Sequence, residues 1–348
     1  MGIRVIQWAT GSIGKTCLRQ VIAHPDLELV GLFVHSDAKA GRDAGDIARR
    51  PPTGVIATRS VDEIVALDAD VVLHMPINAP GMMAGHDADI KRLLRSGKNV
   101  ITLVAHTYPY AFGKDYAGEF EEAAREGGTT LFGGGINPGF MTERVAVTLT
   151  GICTTVDHVT VTEVYDVSDV QSHAFLFDLM GIGRPPETFE DMSGNRGVFE
   201  HMFKEVVAFA GHALKIEFDE IVPDHDFVVA KNPVTLPAGT VKPGGVVNFR
   251  WRWHGLANGR PAYTAEMLWI SDRSLPGWNL DDGWDIEIRG APNVKVRIDL
   301  SDPENMPDRS KAIQYGVAGP IIRAIPEVMK APPGILLPPV FAAYSPRM

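Results

Sequence analysis

Short apolar runs alternate with amphipathic stretches along the first 140 residues of the chain. The runs are short enough to be buried strands, and between them apolar residues recur three or four positions apart, as on one face of a helix. Strands are predicted at residues 3–8, 27–34, 70–75, 99–104 and 129–132, and helices at 13–22, 86–96 and 116–125. This alternation is typical of a doubly wound α/β domain with a parallel sheet.

The pattern changes after Gly139, where strand-like runs follow one another without regular helical crossovers. Strands are predicted at 156–164, 226–229, 246–254, 262–270, 284–289 and 294–300, and helices at 141–150, 195–212 and 310–325. Such a pattern predicts an α+β domain with an open, mixed or antiparallel sheet. We therefore expect a first domain at 1–140, a second at 141–306, and a C-terminal segment at 307–348 that returns to the first domain.

Length, charge and cysteine content narrow the class of protein. The chain has 348 residues, more than a single hydrophobic core usually supports, which favours two domains. Its 33 Lys and Arg against 43 Asp and Glu argue against a nucleic-acid partner, because binding phosphates needs clustered cations. Two cysteines, no membrane-length apolar run and no signal peptide pattern predict a cytoplasmic protein without a membrane partner.

The first chemical signal is the sequence ATGSIG at residues 9–14, between the first predicted strand and helix. It follows the G-x-G-x-x-G pattern of dinucleotide-binding turns, with alanine in the first place, where we expect a negative φ. Small residues let backbone amides at the helix N-terminus approach a diphosphate. A tight turn that binds nothing is the alternative. The residues expected to contact the cofactor are Thr10, Gly11, Ser12, Ile13 and Gly14.

The end of the second strand indicates which dinucleotide is used. NAD enzymes usually place an acidic residue there to accept a hydrogen bond from the ribose, whereas His35, Ser36, Lys39 and Arg42 occupy this region. These groups suit the 2′-phosphate of NADP(H), although Asp37 would repel it if it pointed inward. The sequence therefore favours NADP(H) over NAD(H). The alternative is a solvated loop.

A third signal is the glycine-rich segment GGGINPGF at residues 133–140, directly after a predicted strand. The carboxyl ends of parallel strands are where α/β sheets bind ligands, and Asn137 offers an amide to a nicotinamide carboxamide or a substrate. A domain-crossing hinge without ligand contact is the alternative, and both interpretations are compatible.

These motifs resemble the dihydrodipicolinate-reductase-like superfamily, nearest to its 2,4-diaminopentanoate dehydrogenase and native amine dehydrogenase branch. The similar stretches are WATGSIG at 8–14, HMP at 74–76, GINPGF at 135–140 and APPGIL at 331–336. The resemblance implies a Rossmann domain, an α+β domain that covers the nicotinamide, and NAD(P)-dependent chemistry at a carbon–nitrogen bond. It also implies that the protein is a homodimer formed through the second sheet. We expect the chain at Met75–Asn78, which includes Pro76, to flank the nicotinamide together with Asn137.

One segment departs from that branch. Its members carry a glutamate pair after the strand at 99–104, whereas residues 102–109 read TLVAHTYP, with no acid. A reduction, with the proton from water, His106 or Tyr108, is then favoured, since imidazole and phenol can both exchange protons. For each side chain the alternative is a purely structural role.

Substrate contacts are expected from Phe140 and from the second domain. Glu163 and Tyr165 share one face of a strand by their period of two, and His173 follows in a polar loop. The alternative for Glu163 is a solvent-facing position. No histidine or cysteine spacing indicates a metal site.

The sequence therefore predicts an NADP-dependent oxidoreductase acting on a small imine, amine or carbonyl compound. A non-catalytic NADP(H)-binding sensor, which kept the fold after losing the acid, is the alternative. A dihydrodipicolinate reductase is disfavoured, because that family's paired histidines and lysine are not visible after Phe140.

Overall fold

The computed structural model describes residues 2–190, 193–305 and 310–346, and the chain forms two compact units. The first unit comprises Met1–Asn78, Met82–Phe140 and Ser301–Pro339, and the second comprises Ala79–Gly81, Met141–Leu300 and Val340–Met348. The predicted boundary between residues 306 and 307 lies outside the described residues. The C-terminal segment groups with the first unit from Ser301 onward, and its end, from Val340, groups with the second.

The first unit is built on a six-stranded parallel sheet. Its strands are β1 (Ile3–Trp8), β2 (Leu27–Phe33), β3 (Val71–His74), β4 (Asn99–Thr102), β5 (Thr130–Gly133) and β14 (Gly334–Ile335). Its helices are α1 (Ser12–Ala23), α2 (Ala44–Ala48), α3 (Val61–Ala66), α4 (Met83–Arg95), α5 (Lys114–Gly127) and α9 (Ala312–Lys330). The strand order β14-β5-β4-β3-β1-β2 brings the carboxyl ends of β1, β3 and β4 to one edge.

Helices cover both faces of this sheet, as is usual for an all-parallel sheet, whose strands are apolar on both sides. On one face, Leu94 of α4 and Phe120 of α5 are fully buried in the same apolar cluster. On the other face, Val21 of α1 and Ile321 of α9 are buried together. The C-terminal helix α9 is thus part of the first unit's core.

The second unit is built on a mixed sheet. Its strands are β6 (Thr155–Asp166), β7 (Glu220–Val229), β8 (Val234–Leu236), β9 (Gly239–Val241), β10 (Val246–Ala257), β11 (Arg260–Ile270), β12 (Gly283–Ala291) and β13 (Val294–Ile298). Its helices are α6 (Val147–Leu149), α7 (Pro186–Glu190) and α8 (Ser193–Leu214). Six strands pair in the order β13-β12-β6-β11-β10-β7, with β6 and β11 parallel and the other pairs antiparallel, and β8 pairs with β9.

Aromatic side chains join α8 to this sheet. The ring of Phe203 stacks on that of Trp253 at 4.4 Å, and the ring of Phe199 lies 5.1 Å from that of Trp251. Both tryptophans are buried, while Arg250 and Arg252 between and beside them lie on the opposite face. Two short π-helical segments, Met141–Ala146 and Ala174–Leu179, complete the unit.

The structure confirms the predicted fold class, a doubly wound parallel sheet with a second α+β domain. The differences are local. The helix predicted over 141–150 is broken into π-helical, α-helical and 3₁₀ turns, and the short α2, α3, α7, β8, β9 and β14 were not predicted. Elements this short carry too few apolar positions to show a period. Among the described residues, no helix is long and apolar enough to cross a membrane.

Candidate active site

The turn after β1 is held by backbone contacts that only small residues allow. A Cβ on Gly14 would lie 2.4 Å from the carbonyl oxygen of Ala9, so the start of α1 sits directly on the turn. The buried Gln7 amide donates a 3.0 Å hydrogen bond to the same carbonyl. The expectation of a negative φ for Ala9 is wrong, because its φ is +73° and it adopts a conformation usually left to glycine. Strain of this kind persists where surrounding structure enforces it.

A cleft of about 400 Å³ opens beside this turn. It is lined by Thr10, Gly11, Ser12, Lys15, Arg19, Lys39, Arg49 and Gln314. Four of these side chains are cationic and none is acidic. Gly11 is the N-cap of α1 with no side-chain hydrogen bond, and a Cβ there would meet no atom within 4 Å, so the helix N-terminus faces open space. The cleft therefore combines backbone N–H groups with positive charge, which favours an anion.

The two lysines of the cleft are electrostatically strained. Partial burial lowers the pKa of Lys15, and the charges of Lys39, Arg19 and Arg49 lower it further. Partial burial also lowers the pKa of Lys39, with a smaller contribution from Arg42. The ammonium of Lys39 donates to the carbonyl and the hydroxyl oxygen of Thr10, both at 3.0 Å. Neutral oxygens hold it in place, and its charge remains available to a ligand.

The two arginines are positioned by different means. Arg19 is buried and donates to the carbonyl of Ala48 at 2.9 Å. Arg49 ends α2 in the left-handed conformation, with φ +58°. The opposite end of α2 is fixed by Asp43, whose carboxylate accepts hydrogen bonds from two backbone amides and from both the backbone and hydroxyl of Thr53. The backbone N–H of Thr53 is the main cause of the lowered pKa of Asp43.

The residues predicted for the 2′-phosphate separate in the structure. Lys39 lines the cleft, whereas His35, Ser36 and Arg42 are exposed and do not line it. The ring of His35 packs edge-on against Phe33 at 5.0 Å, and the carbonyl of Ser36 accepts the backbone N–H of Lys39 at 3.0 Å. Asp37, which was expected to repel a 2′-phosphate if it pointed inward, forms an ion pair with Arg59 instead.

The segments after β3 and β4 are tied to each other at the same edge of the sheet. Met75 and Pro76 are buried, and Met75 donates its N–H to the carbonyl of Trp8 at 3.0 Å. Asn78 donates to the carbonyl of Val104 at 3.1 Å. This edge is thus assembled from the ends of β1, β3 and β4. The segment after β3, predicted to flank the nicotinamide, and the segment after β4, predicted to handle protons, both begin there.

His106 lies in the core of the first unit, which contradicts a direct catalytic role. Its side chain is fully buried, its Nε2 atom lies 2.9 Å from Asp87 Oδ1, and its ring packs edge-on against Phe120 at 4.9 Å. Tyr116 donates to the same carboxylate. A side chain without exposed surface cannot touch a substrate. Asp87, 19 residues earlier in the chain, supplies a carboxylate near the segment that lacks the family's acid.

Tyr108, the second residue predicted to handle protons, is only partly buried. Burial raises its pKa, so its phenol is protonated at neutral pH, and its ring lies 5.5 Å from that of Tyr110.

The glycine-rich segment is closely packed, because a Cβ on Gly133 would lie 2.2 Å from the carbonyl carbon of His106. Asn137 and Phe140, farther along this segment, are both partly buried.

Glu163 and Tyr165 lie on one face of β6, as their spacing predicted, and Glu163 is buried. Its carboxylate accepts the indole N–H of Trp284 at 3.0 Å, so the solvent-facing alternative is wrong. Burial raises the pKa of Tyr165 to about 12, and its ring packs against Trp269 at 5.7 Å. His173 is exposed, and its Nδ1 lies 2.9 Å from the carbonyl of Ala238.

Four cleft residues were not predicted: Lys15, Arg19, Arg49 and Gln314. The first two are one helical turn apart on α1, immediately after the glycine turn, and this spacing could have revealed them. Arg49 and Gln314 carry no comparable signal, since each reaches the cleft from an element distant in sequence.

In the part of the chain that the structure describes, no group of His, Cys, Asp and Glu could hold a metal ion.

The cleft fits the phosphate groups of a dinucleotide. The uncapped N-terminus of α1 offers backbone donors to a diphosphate, Gly11 leaves room for its approach, and the cations suit a further phosphate. The carboxyl edge of β1, β3 and β4 beside this turn is where such folds hold the reactive ring. A nicotinamide nucleotide is therefore compatible with the residues present.

Comparisons with known proteins agree with this architecture. Residues 140–338 match the family described as 2,4-diaminopentanoate dehydrogenase C-terminal domain. An amine dehydrogenase from Streptomyces virginiae is 29% identical over 347 residues, covering 96% of this chain and 94% of that protein. A 2,4-diaminopentanoate dehydrogenase from Acetoanaerobium sticklandii is 24% identical, covering 96% and 91%. The solved structure of an amine dehydrogenase from Mycobacterium smegmatis has a TM-score of 0.76 at 20% identity, covering 97% and 95%.

The fold and the cleft define an oxidoreductase that uses a nicotinamide nucleotide. More particularly, the chain belongs to the 2,4-diaminopentanoate dehydrogenase family. The predicted resemblance is confirmed, and an enzyme rather than a non-catalytic sensor is supported.

Proposed function

We propose that this protein is an NADP-dependent oxidoreductase that interconverts a small amine and the corresponding imine or carbonyl compound. The observation that carries the cofactor preference is the cationic cleft beside the glycine turn. Lys39, in the segment after β2 where an NAD enzyme usually places an acid, lines it together with Lys15 and Arg49, and no carboxylate does, so a 2′-phosphate would meet positive charge there. The relatives that are named amine and diaminopentanoate dehydrogenases support the carbon–nitrogen bond as the site of reaction.

The chemistry sets what the chain's own residues must do. A bound nicotinamide exchanges two electrons and a hydrogen with the substrate carbon, so amine oxidation breaks a C–H bond and releases a proton from nitrogen, and reduction does the reverse. The first unit would orient the cofactor through the turn at 9–14 and the cleft. Tyr108 retains exposed surface in the segment after β4 and is protonated at neutral pH, which suits the donation of a proton or hydrogen bond to an imine or carbonyl. We assign this part to Tyr108 and a structural part to His106.

The proposal is tested by following NADPH absorbance over a panel of ketones and aldehydes, with and without ammonium, and NADP+ reduction by the matching amines. We expect consumption of NADPH that requires both a carbonyl compound and ammonium. Tight NADPH binding without turnover on any substrate class would refute the proposed reaction and favour the sensor.

The cofactor preference predicts a selective effect of two charge-removing substitutions. Lys39→Met and Arg49→Gln should each weaken NADPH binding by roughly 10- to 100-fold and NADH binding far less, because each removes one charged contact to the 2′-phosphate. Calorimetric titration of both nucleotides measures this. Lys295→Met, which removes an exposed cation of the second unit, is the control. Equal losses of affinity for NADPH and NADH would show that these cations do not bind the 2′-phosphate.

The assignment of Tyr108 predicts a loss of turnover without a loss of cofactor affinity. Tyr108→Phe should lower kcat by roughly 100-fold and leave the Kd for NADPH unchanged, since only the phenolic hydroxyl is removed. An unchanged kcat would eliminate Tyr108 from the reaction. His106→Asn should instead lower thermal stability, because it disrupts the buried contact with Asp87.

We also propose a homodimer in which a second copy packs on the sheet face opposite α8. Arg252, Glu266 and Thr162 lie side by side there on three adjacent strands, and the hydroxyl of Thr162 donates to Glu266 at 2.7 Å. A face with charges of both signs can place opposite charges against each other when it meets its own copy across a two-fold axis. Sedimentation equilibrium measures the assembly, and a monomer at micromolar concentration would refute it.

A further inference from the structure

Gln314, at the start of the C-terminal helix α9, reaches the glycine turn from the far end of the chain. It lines the cleft, and its side-chain Nε2 donates to the hydroxyl of Ser12, the first residue of α1, across 302 residues of sequence. The N-terminal turns of α1 and α9 therefore meet at the point where a diphosphate would approach α1.

The orientation of the Gln314 amide is fixed by its own helix. The backbone N–H of Lys311 donates to Gln314 Oε1 at 2.9 Å, which occupies the oxygen of the side chain. The nitrogen consequently faces Ser12 and the cleft. A side-chain amide nitrogen carries two hydrogens, and Ser12 takes one of them, so the second has no acceptor among the described residues.

The position of α9 is also fixed. Ser310, immediately before it, is buried, and its hydroxyl lies 3.1 Å from that of Thr16 and accepts a 2.9 Å hydrogen bond from Arg19. Both partners belong to α1. Gln314 is thereby held against α1 before any ligand binds, and a donor fixed in advance costs less entropy to use.

We propose that Gln314 is a cofactor-binding residue that donates a hydrogen bond to the diphosphate of the nicotinamide nucleotide. The C-terminal segment thus completes the cofactor site as well as the core. The inference rests on the proposed use of the cleft for a dinucleotide, and it does not depend on the preference for NADP, because NADH and NADPH share the diphosphate.

Two substitutions of nearly the same shape test this assignment. Gln314→Met removes the donor and should weaken NADPH and NADH by about tenfold each, the usual scale for a hydrogen bond to a charged group. Gln314→Glu puts a carboxylate in place of the donor and should weaken both by a larger factor, roughly 50-fold or more. The ratio of the two affinities should stay at the wild-type value. Calorimetric titration gives each Kd, and circular dichroism checks that the variants are folded.

The matched control is Glu327→Gln, an exposed position near the other end of α9, which should bind both nucleotides like the wild type. Binding of both nucleotides to Gln314→Glu and Gln314→Met within twofold of wild type would overturn the inference. A loss confined to NADPH would also overturn it, because it would assign Gln314 to the 2′-phosphate. If the wild-type protein binds neither nucleotide, it is the proposed function that fails.

Discussion

The cations of the cleft and those of the second unit differ in how their charge is balanced. In the cleft, Lys15, Arg19, Lys39 and Arg49 lie near one another, and no acidic residue lines the space between them. In the second unit, Arg273 forms ion pairs with Asp166, at 2.6 Å, and with Asp282. The cleft concentrates positive charge, whereas the charge of Arg273 is neutralised by carboxylates of its own unit.

The pKa shifts follow the same division. Burial works against the charge of Arg273, but the hydrogen bond and charge of Asp166 outweigh it and raise the pKa of the guanidinium. Burial and neighbouring cations lower the pKa of Lys15. A cluster of like charges weakens a folded protein, so its presence indicates a ligand that supplies the opposite charge. We therefore regard the balanced cations as scaffold and the unbalanced ones as a binding site.

The largest expected effect that tests this comparison is on stability. Arg273→Met should lower the free energy of unfolding by about 2 kcal/mol, because it leaves Asp166 and Asp282 close together without their partner. Arg49→Gln should change the same quantity by less than about 0.5 kcal/mol, since no acid is left unpaired in the cleft. Urea denaturation of the free proteins measures both.

A third variant separates burial from charge alone. Lys295→Met breaks an ion pair with Glu287 whose side chains are 70% and 53% exposed, and it should cost less than about 0.5 kcal/mol. If Arg49→Gln destabilised the free protein as strongly as Arg273→Met, the cleft cations would be scaffold too, and the comparison would fail.

The parts that local sequence specifies could be predicted, and the parts that distant segments assemble could not. The glycine turn depends on six consecutive residues and the strand before them, so its place on the first βα unit was predictable. The cleft depends on Arg49, whose place is set by the short helix α2 that Asp43 caps at its other end. It also depends on Gln314, which comes from the C-terminal helix. No local pattern reports such contacts.

His106 shows the same limit for a single side chain. Its sequence position, after β4 in place of the family's acid, indicated chemistry, but burial is a property of the assembled helices. Asp87 of α4 and Phe120 of α5 surround the imidazole and remove it from the surface. The solvent-facing alternative for Glu163 fails for the same reason, because its partner Trp284 lies on a strand more than a hundred residues away.

A smaller effect, on pH dependence, follows from the lowered pKa values of Lys15 and Lys39. A lysine is cationic below its pKa, so both side chains lose their charge at a lower pH than the ordinary 10.5 as pH rises. The affinity for NADPH should therefore fall by several-fold in alkaline solution before ordinary lysines titrate. Because the bound phosphate favours the charged form, binding in that range should take up protons.

Calorimetry in buffers of different ionisation enthalpy measures this uptake directly, and Lys39→Met should reduce it. The same lowered pKa values should make the stability of the free protein rise with pH, whereas the affinity for NADPH should fall. Where the unfolded chain binds more protons than the folded one, stability rises with pH, so the lysines of the cleft should cost less stability in alkaline solution. Lys15→Gln, in which one of these charges is absent, should show a weaker rise. A proton uptake that Lys39→Met leaves unchanged, together with an unaltered stability profile for Lys15→Gln, would mean that these charges are balanced after all.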